Sequence, residues 1–171
     1  MTMFHPVAGR IVQVLKDYLP AELDALDTLL GQPETPDIQD SGYFEYGRRV
    51  QIQFPGVRVR HKGMRPIEVR TFLMGELLYA WYLIDVMVDV ELSTVADDEL
   101  ALERNLMTYV EGIYRVLCLR YDGLETIADP TRFAFAVELE SDVSVGPIES
   151  QEGYAVRTGI LPLRVRRNEQ R

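Results

Sequence analysis

Apolar residues recur every three or four positions over residues 7–18 and again over 21–30. This spacing places them along one side of a helix. A proline inside a helix loses a backbone hydrogen bond and clashes with the preceding turn, so Pro20 is expected to separate the two stretches. The pattern therefore predicts two short helices that meet at Pro20, with the second ending at Gly31.

Residues 31–49 show no such period and contain several prolines, glycines and aspartates, which is typical of a long loop. Residues 50–60 alternate between apolar and polar, with an interruption at Pro55 and Gly56. This alternation predicts two short strands or the arm of a hairpin. A further short strand is predicted over residues 66–74.

The clearest strand pattern covers residues 79–92. Every even-numbered position in it is apolar, whereas the odd-numbered positions begin apolar and include Asp85, Asp89 and Glu91 towards the end. We therefore expect one end of this strand to be covered on both faces and the other to meet water on its odd face.

An amphipathic helix is predicted after this strand. Residues 94–97 resemble a capping box, acidic residues follow at the positive end of the helix dipole, and an apolar stripe runs over 102–117. Gly123 is expected to end this segment.

The last part of the chain alternates again. Residues 133–140 and 161–166 predict two strands, separated by a loop over 141–153. Pro162 cannot donate to a strand ladder, which favours an edge position for the second of these strands.

This order of elements predicts an α+β fold, with a mainly antiparallel sheet, helices packed on one face and a short β-hairpin arm. A chain of 171 residues with 47% hydrophobic residues is expected to form a single domain over 1–171. The basic arm covers about 48–65, and a basic C-terminal tail covers 164–171.

The formal net charge of −9 argues against nucleic-acid binding over the whole surface. Positive charge is nonetheless concentrated in the arm and in the tail, so the chain can bind a copy of itself, basic segment against acidic face. The alternative is that charges cluster by chance on solvated faces. The candidate interface residues are Arg48, Arg49, Arg58, Arg60, Lys62, Arg65, Arg164, Arg166 and Arg167.

Asp85, Asp89 and Glu91 share one strand face, and three carboxylates at this spacing can converge on a divalent cation, as in metal-dependent nucleases. The only lysines, Lys16 and Lys62, do not neighbour this strand in sequence, which favours a solvated face. A third interpretation is an acidic surface past which DNA moves without adhering. No metal ion and no cofactor is predicted.

The other reactive side chains are isolated. His5 and His61 lie in different elements, and no zinc-protease, serine-hydrolase or phosphate-loop motif occurs. Cys118 is the single cysteine, and a position near a helix C-terminus is expected to raise its pKa, so we predict packing and not nucleophilic attack. No catalytic residue is predicted.

The longest nearly apolar stretch, 77–84, is too short to cross a bilayer, so no membrane partner is expected.

Five segments together resemble the tail terminator (tail completion) proteins of long-tailed bacteriophages. The resemblance covers most of the chain and is one of pattern, because that family has no sharp motif. The segments are VLKDYLPAEL, VQIQFPGVRVRHKG, YAWYLIDVMVDVEL, ADDELALERNLMTYVEGIYRVLCLRYDG and TGILPLRVRR.

The resemblance implies a structural α+β subunit without catalytic activity, which forms a homo-oligomeric ring, typically a hexamer. Such a ring caps the tail tube, contacts the connector and neck proteins of the head, and lets DNA through its lumen as transient cargo. It belongs to the virion tail or neck and is assembled in the host cytoplasm. The arm is then expected to touch a neighbouring subunit or the tube, and Asp85, Asp89 and Glu91 to lie near the lumen or an interface.

Three alternatives remain open from the sequence. One is another head–tail joining ring of the phage neck. The second is a small metal-dependent, nuclease-like enzyme that uses the acidic strand face. The third is a cytoplasmic adaptor that binds a cellular protein.

Overall fold

The computed structural model describes residues 5–45, 54–71, 77–95, 98–119, 135–151 and 154–170. Within them the chain forms two α-helices and a seven-stranded mixed sheet that is mostly antiparallel. The helices pack against each other and against the sheet. The predicted α+β class is therefore confirmed.

The first helix, α1 (His5–Leu30), runs straight through the proline, so the prediction of two helices that meet at Pro20 is wrong. Leu15, Leu19 and Leu23 are fully buried and form one stripe on both sides of the proline. Burying this continuous stripe outweighs the loss of one hydrogen bond. Gly31 ends the helix as predicted, with a φ of 61° that suits glycine.

The irregular segment 32–39 is fastened to the helices. The buried Asp27 carboxylate accepts hydrogen bonds from Thr35 N (2.5 Å), Thr35 Oγ1 (2.8 Å) and Gln32 Nε2 (2.6 Å). Burial alone would raise the pKa of Asp27, but these hydrogen bonds lower it below its ordinary value. The Tyr109 hydroxyl donates to a backbone carbonyl of the same segment. The first part of the long predicted loop is thus held in one conformation.

Three long strands form the body of the sheet, and four short strands complete it. The order is β1-β2-β3-β7-β4, with β5 and β6 also paired with β7. The long strands are β2 (Gly56–Thr71), β3 (Leu77–Val95) and β7 (Tyr154–Gln170). The short strands are β1 (Tyr43–Glu45), β4 (Phe135–Leu139), β5 (Ser144–Val145) and β6 (Glu149–Gln151).

The strand β2 replaces the separate short strands predicted over 57–60 and 66–74. Pro55 and Gly56 lie at its start and do not divide it, and register shifts at His61/Gly63 and Pro66/Glu68 keep it paired with β3. The described part of the predicted arm therefore lies in the sheet. Its first residues, 48–53, are outside the described residues.

The strand β7 is interior, so the edge position expected from Pro162 is wrong. The Pro162 carbonyl accepts from Glu140 N at 2.9 Å, just beyond the end of β4. Since N–H and C=O of one residue leave the same side of a strand, the missing N–H of Pro162 falls in the gap between β4 and β5. The predicted loop over 141–153 also contains β5 and β6, which pair along this edge of β7.

The second helix, α2 (Glu99–Tyr114), continues as a π-helical turn over Arg115–Leu119. Its N-cap is Asp98, whose carboxylate accepts from Ala101 N at 3.3 Å. The capping box predicted over 94–97 is wrong at its first two positions, which belong to β3. The predicted end at Gly123 lies outside the described residues.

The core lies between the helices and one face of the sheet, which we call the inner face. Ile84, Val86, Val88 and Val90 of β3 are all 0% exposed there, which confirms the predicted apolar face. A Cβ on Gly159 of β7 would lie 2.9 Å from Val110 Cγ2 of α2. The helix therefore rests directly on the sheet, and the alternate side chains of β3 point to the opposite, outer face.

Candidate functional site

The acidic residues of β3 lie on the outer face of the sheet, at alternate positions of one strand. They are not a solvated acidic surface, because Asp89 is only 1% exposed. The β2–β3 register places Arg58 directly opposite Asp89 and Arg60 opposite Met87. Period-two alternation in both strands thus brings the arginines and the carboxylates to the same face.

Asp89 is held by two arginines. Arg60 Nη2 donates to Oδ1 at 2.9 Å, and Arg58 Nε donates to Oδ2 at 3.2 Å. Arg60 Nε also lies 2.6 Å from Oδ2 as an ion-pair contact. Arg58 Nη2 donates in addition to Glu91 Oε1 at 2.9 Å, so one guanidinium bridges two carboxylates.

A second group of ion pairs continues the pattern towards β4. Arg164 of β7 donates to Asp85 Oδ1 at 3.0 Å and to Glu140 Oε1 at 3.1 Å. Lys62 Nζ reaches the other oxygen of Glu140 at 3.5 Å. We call these eight residues the charge lattice: Arg58, Arg60, Lys62, Asp85, Asp89, Glu91, Glu140 and Arg164.

Two guanidinium groups of the lattice are stabilised in their charged form. The hydrogen bond to Asp89 raises the pKa of Arg60, and the hydrogen bond to Asp85 raises that of Arg164. Burial raises the pKa of Glu91, and the charge of Asp89 adds to this, while Arg58 opposes it. The main electrostatic feature of the site is therefore mutual neutralisation.

A metal ion would have to displace arginines to reach these carboxylates. Among the described residues no group of three or more histidine, cysteine, aspartate or glutamate side chains is arranged to hold a metal ion. The three carboxylates on which the nuclease-like alternative depends share a strand face but do not converge on one point, and Arg58, Arg60 and Arg164 contact the oxygens of Asp89 and Asp85.

The structure brings together two sets of residues that the sequence analysis assigned to different surfaces. Two glutamates were not singled out from the sequence: Glu140, which completes the lattice, and Glu138, which lies 3.9 Å from Arg166. The signal was available, because Glu138 stands at a polar position of the alternating stretch over 133–140 and lies opposite Arg164. What the sequence lacks is the strand order, which decides which charges face one another.

The remaining candidate interface residues lie in different places. Arg48 and Arg49 lie outside the described residues, and the backbone of Arg167 lies in β7 opposite Tyr82. Arg65 and Arg166 are exposed and stand beyond the end of the lattice.

The histidines do not form a site. His61 lies in β2 opposite Val86 and is partly buried, and His5 begins α1. A separate cleft of about 330 Å³ lies between the 32–39 segment and the first half of α2. Its lining includes the polar side chains of Glu34, Ser93, Asp98, Arg104, Asn105 and Tyr109 but no histidine, cysteine or lysine.

Cys118 lies in the π-helical turn after α2 and is partly buried. Burial, with a smaller contribution from the charge of Glu138, raises the pKa of its thiol to about 11. The predicted direction is confirmed, and its main cause is burial.

We expect Cys118 to react slowly with iodoacetamide. At pH 8 a thiol of pKa about 11 holds on the order of a hundredth of the thiolate of an ordinary cysteine. The alkylation rate of the folded chain should therefore be at least about a hundredfold below that of the chain in urea. Equal rates in the two states would show instead that the thiol is exposed and has an ordinary pKa.

No helix in the described part of the chain is long and apolar enough to cross a membrane. No family model matches the sequence, and no curated protein matches it significantly.

Proposed function

We propose that this chain is a structural subunit of a bacteriophage neck. Copies of it form a ring that caps the tail tube and joins it to the connector proteins of the head. The observation that carries the proposal is the charge lattice, in which two adjoining groups of ion pairs neutralise the acidic residues of β3 on the outer face of the sheet. Catalytic sites instead concentrate titratable groups whose charge is left poised for reaction.

The dimensions of the sheet support the same function. Its long strands contain 16, 19 and 17 residues, against the usual three to ten. At about 3.3 Å per residue, the longest strand spans roughly 60 Å, whereas the longer helix, α1 with 26 residues, spans roughly 39 Å. A sheet that reaches beyond its helices offers a long surface for contacts with several neighbours.

The lattice also changes the surface that DNA is proposed to meet in the lumen of the ring. If Asp85, Asp89 and Glu91 face the lumen, DNA meets a neutral array of ion pairs there and not bare carboxylates. The net charge of −9 still opposes adhesion of a polyanion to the subunit as a whole.

The oligomeric mass tests this proposal. Native mass spectrometry across a concentration series, with negative-stain images of the same samples, should give a closed ring with an open lumen. A chain that stays monomeric at every concentration, both alone and co-expressed with its tail tube protein, contradicts the proposal and favours the adaptor.

Calorimetric titration with Mg²⁺ or Mn²⁺ separates the ring from the nuclease-like alternative. We expect no tight binding to the folded protein, because arginines occupy the carboxylates. Tight binding that is lost in Asp85→Asn and Asp89→Asn would favour the enzyme.

A further inference from the structure

The charge lattice ends in a row of side chains that contains two exposed arginines. The strand register places Arg65, Leu83 and Arg166 side by side on the outer face. Arg65 is exposed and makes no ion pair within the described residues. Arg166 lies 3.9 Å from Glu138, and both side chains are more than half exposed. Ile67, just beyond Arg65, is 53% exposed.

The outward surface of the helices has the opposite character. Among the side chains that the structure describes on α1 and α2, every exposed charged one is acidic, whereas Arg10, Lys16 and Arg104 are less exposed. Along α2, two large apolar side chains stand among these acids, with Leu100 81% and Met107 51% exposed. The exposed acids of the two helices are Asp17, Asp24, Glu99, Glu103 and Glu111.

These features define two patches. The basic row is Arg65, Leu83 and Arg166. The α2 patch is Leu100, Glu103, Met107 and Glu111, whose spacing places them on one stripe of the helix. Glu103 and Glu111 each hold an arginine of their own chain, yet about half of each carboxylate side chain stays exposed.

We propose that the α2 patch is the docking surface for the basic row of a second copy of this chain. This inference rests on the proposed ring. Carboxylates then meet guanidinium groups, and Leu100 and Met107 meet the apolar part of the row. Glu99, exposed next to Leu100, adds a further carboxylate to this surface, so its side chains are negative where those of the basic row are positive.

The positions of the patches determine the kind of assembly. The α2 patch is on the outward side of the helices, and the basic row is on the outer face of the sheet, so the two lie on opposite sides of the protein. A copy engaged through one patch keeps the other free for the next copy. Such head-to-tail contacts are heterologous and form a ring when their rotation closes.

Two variants test this inference. The row variant carries Arg65→Glu and Arg166→Glu, and the patch variant carries Leu100→Lys and Met107→Lys. All four positions are exposed, and lysine is a good helix former, so both chains should fold as judged by circular dichroism. Each variant alone places like charges in contact, so the concentration needed for assembly should rise at least about tenfold.

Mixing the variants gives the sharper result. The glutamates of the row variant can pair with the lysines of the patch variant. The native arginines of the patch variant can in turn pair with the native α2 patch of the row variant. An equimolar mixture should therefore assemble with alternating subunits where each variant alone does not. Ile148→Lys, an exposed site outside both patches, is the matched control and should assemble like the native chain.

The outcomes separate the two proposals. If the native chain forms rings and either variant alone assembles as well as the native chain, the docking inference is overturned while the ring proposal stands. Folded variants that remain unassembled after mixing also overturn it. If the native chain forms no ring, the proposed function fails and the docking inference fails with it.

Discussion

Replacing Arg58 and Arg60 together by methionine should lower the free energy of unfolding by about 3 kcal/mol. The reason is Asp89, which is 1% exposed and is held by these two guanidinium groups. Without them a buried carboxylate keeps its desolvation penalty and loses its partners. Urea unfolding of both proteins at neutral pH, followed by circular dichroism, measures the difference.

A triple variant separates the cause from simple loss of packing. Adding Asp89→Leu to the two methionines removes the most deeply buried charge together with its partners, and we expect it to recover part of the lost stability, since apolar replacement of buried ion pairs is often neutral or stabilising. Recovery is not complete because Glu91, 13% exposed, still lacks Arg58. A loss below about 1 kcal/mol in the double variant would instead mean that these contacts behave as ordinary surface ion pairs.

The triple variant also bears on function. Arg58, Arg60 and Asp89 lie inside the lattice, whereas the proposed contact between copies uses the row at its end. A folded triple variant should therefore keep its assembly behaviour in native mass spectrometry. Loss of assembly in a stable triple variant would move the interface from the basic row to the lattice itself.

The period-two pattern of β3 was sufficient to predict its inner face, where the even positions from Ile84 to Leu92 are buried, because alternation is a local property of the chain. It also placed the carboxylates on the odd face, but the expectation that this end meets water is wrong, since Asp89 is 1% exposed. The partners of those carboxylates were not predictable in this way. Arg58 and Asp89 are 31 positions apart, and Arg164 and Asp85 are 79 apart, so the strand register and order decide their contact.

Two predictions failed at prolines, for a shared physical reason. The rules for proline describe the local free-energy cost of the missing N–H. They do not include the packing elsewhere in the fold that can offset this cost. At Pro162 the missing donor faces a gap between two short strands, where no acceptor strand is paired. At Pro20 the helix loses one hydrogen bond but keeps a continuous buried stripe.

Two neighbouring substitutions in α1 should therefore change stability in opposite directions. Leu19→Ala should cost about 3 kcal/mol, because Leu19 is 0% exposed and fills the contact between the helices. A Cβ on Gly112 of α2 would lie only 3.1 Å from Leu19 Cδ1, which shows how closely the two helices approach. Pro20→Ala should stabilise by about 1 kcal/mol or more, since it restores an N–H to the helix interior.

Urea unfolding of the two single variants and of the native chain measures both effects on one scale. Leu19→Ala and Pro20→Ala together test why α1 is continuous, because burial of the leucine stripe is expected to offset the free-energy cost of the proline. If Pro20→Ala destabilised the protein, the proline would instead be required for the path of α1 over the sheet. In that case the loss of a hydrogen bond would be part of how the helix fits its neighbours, and not a cost that burial offsets.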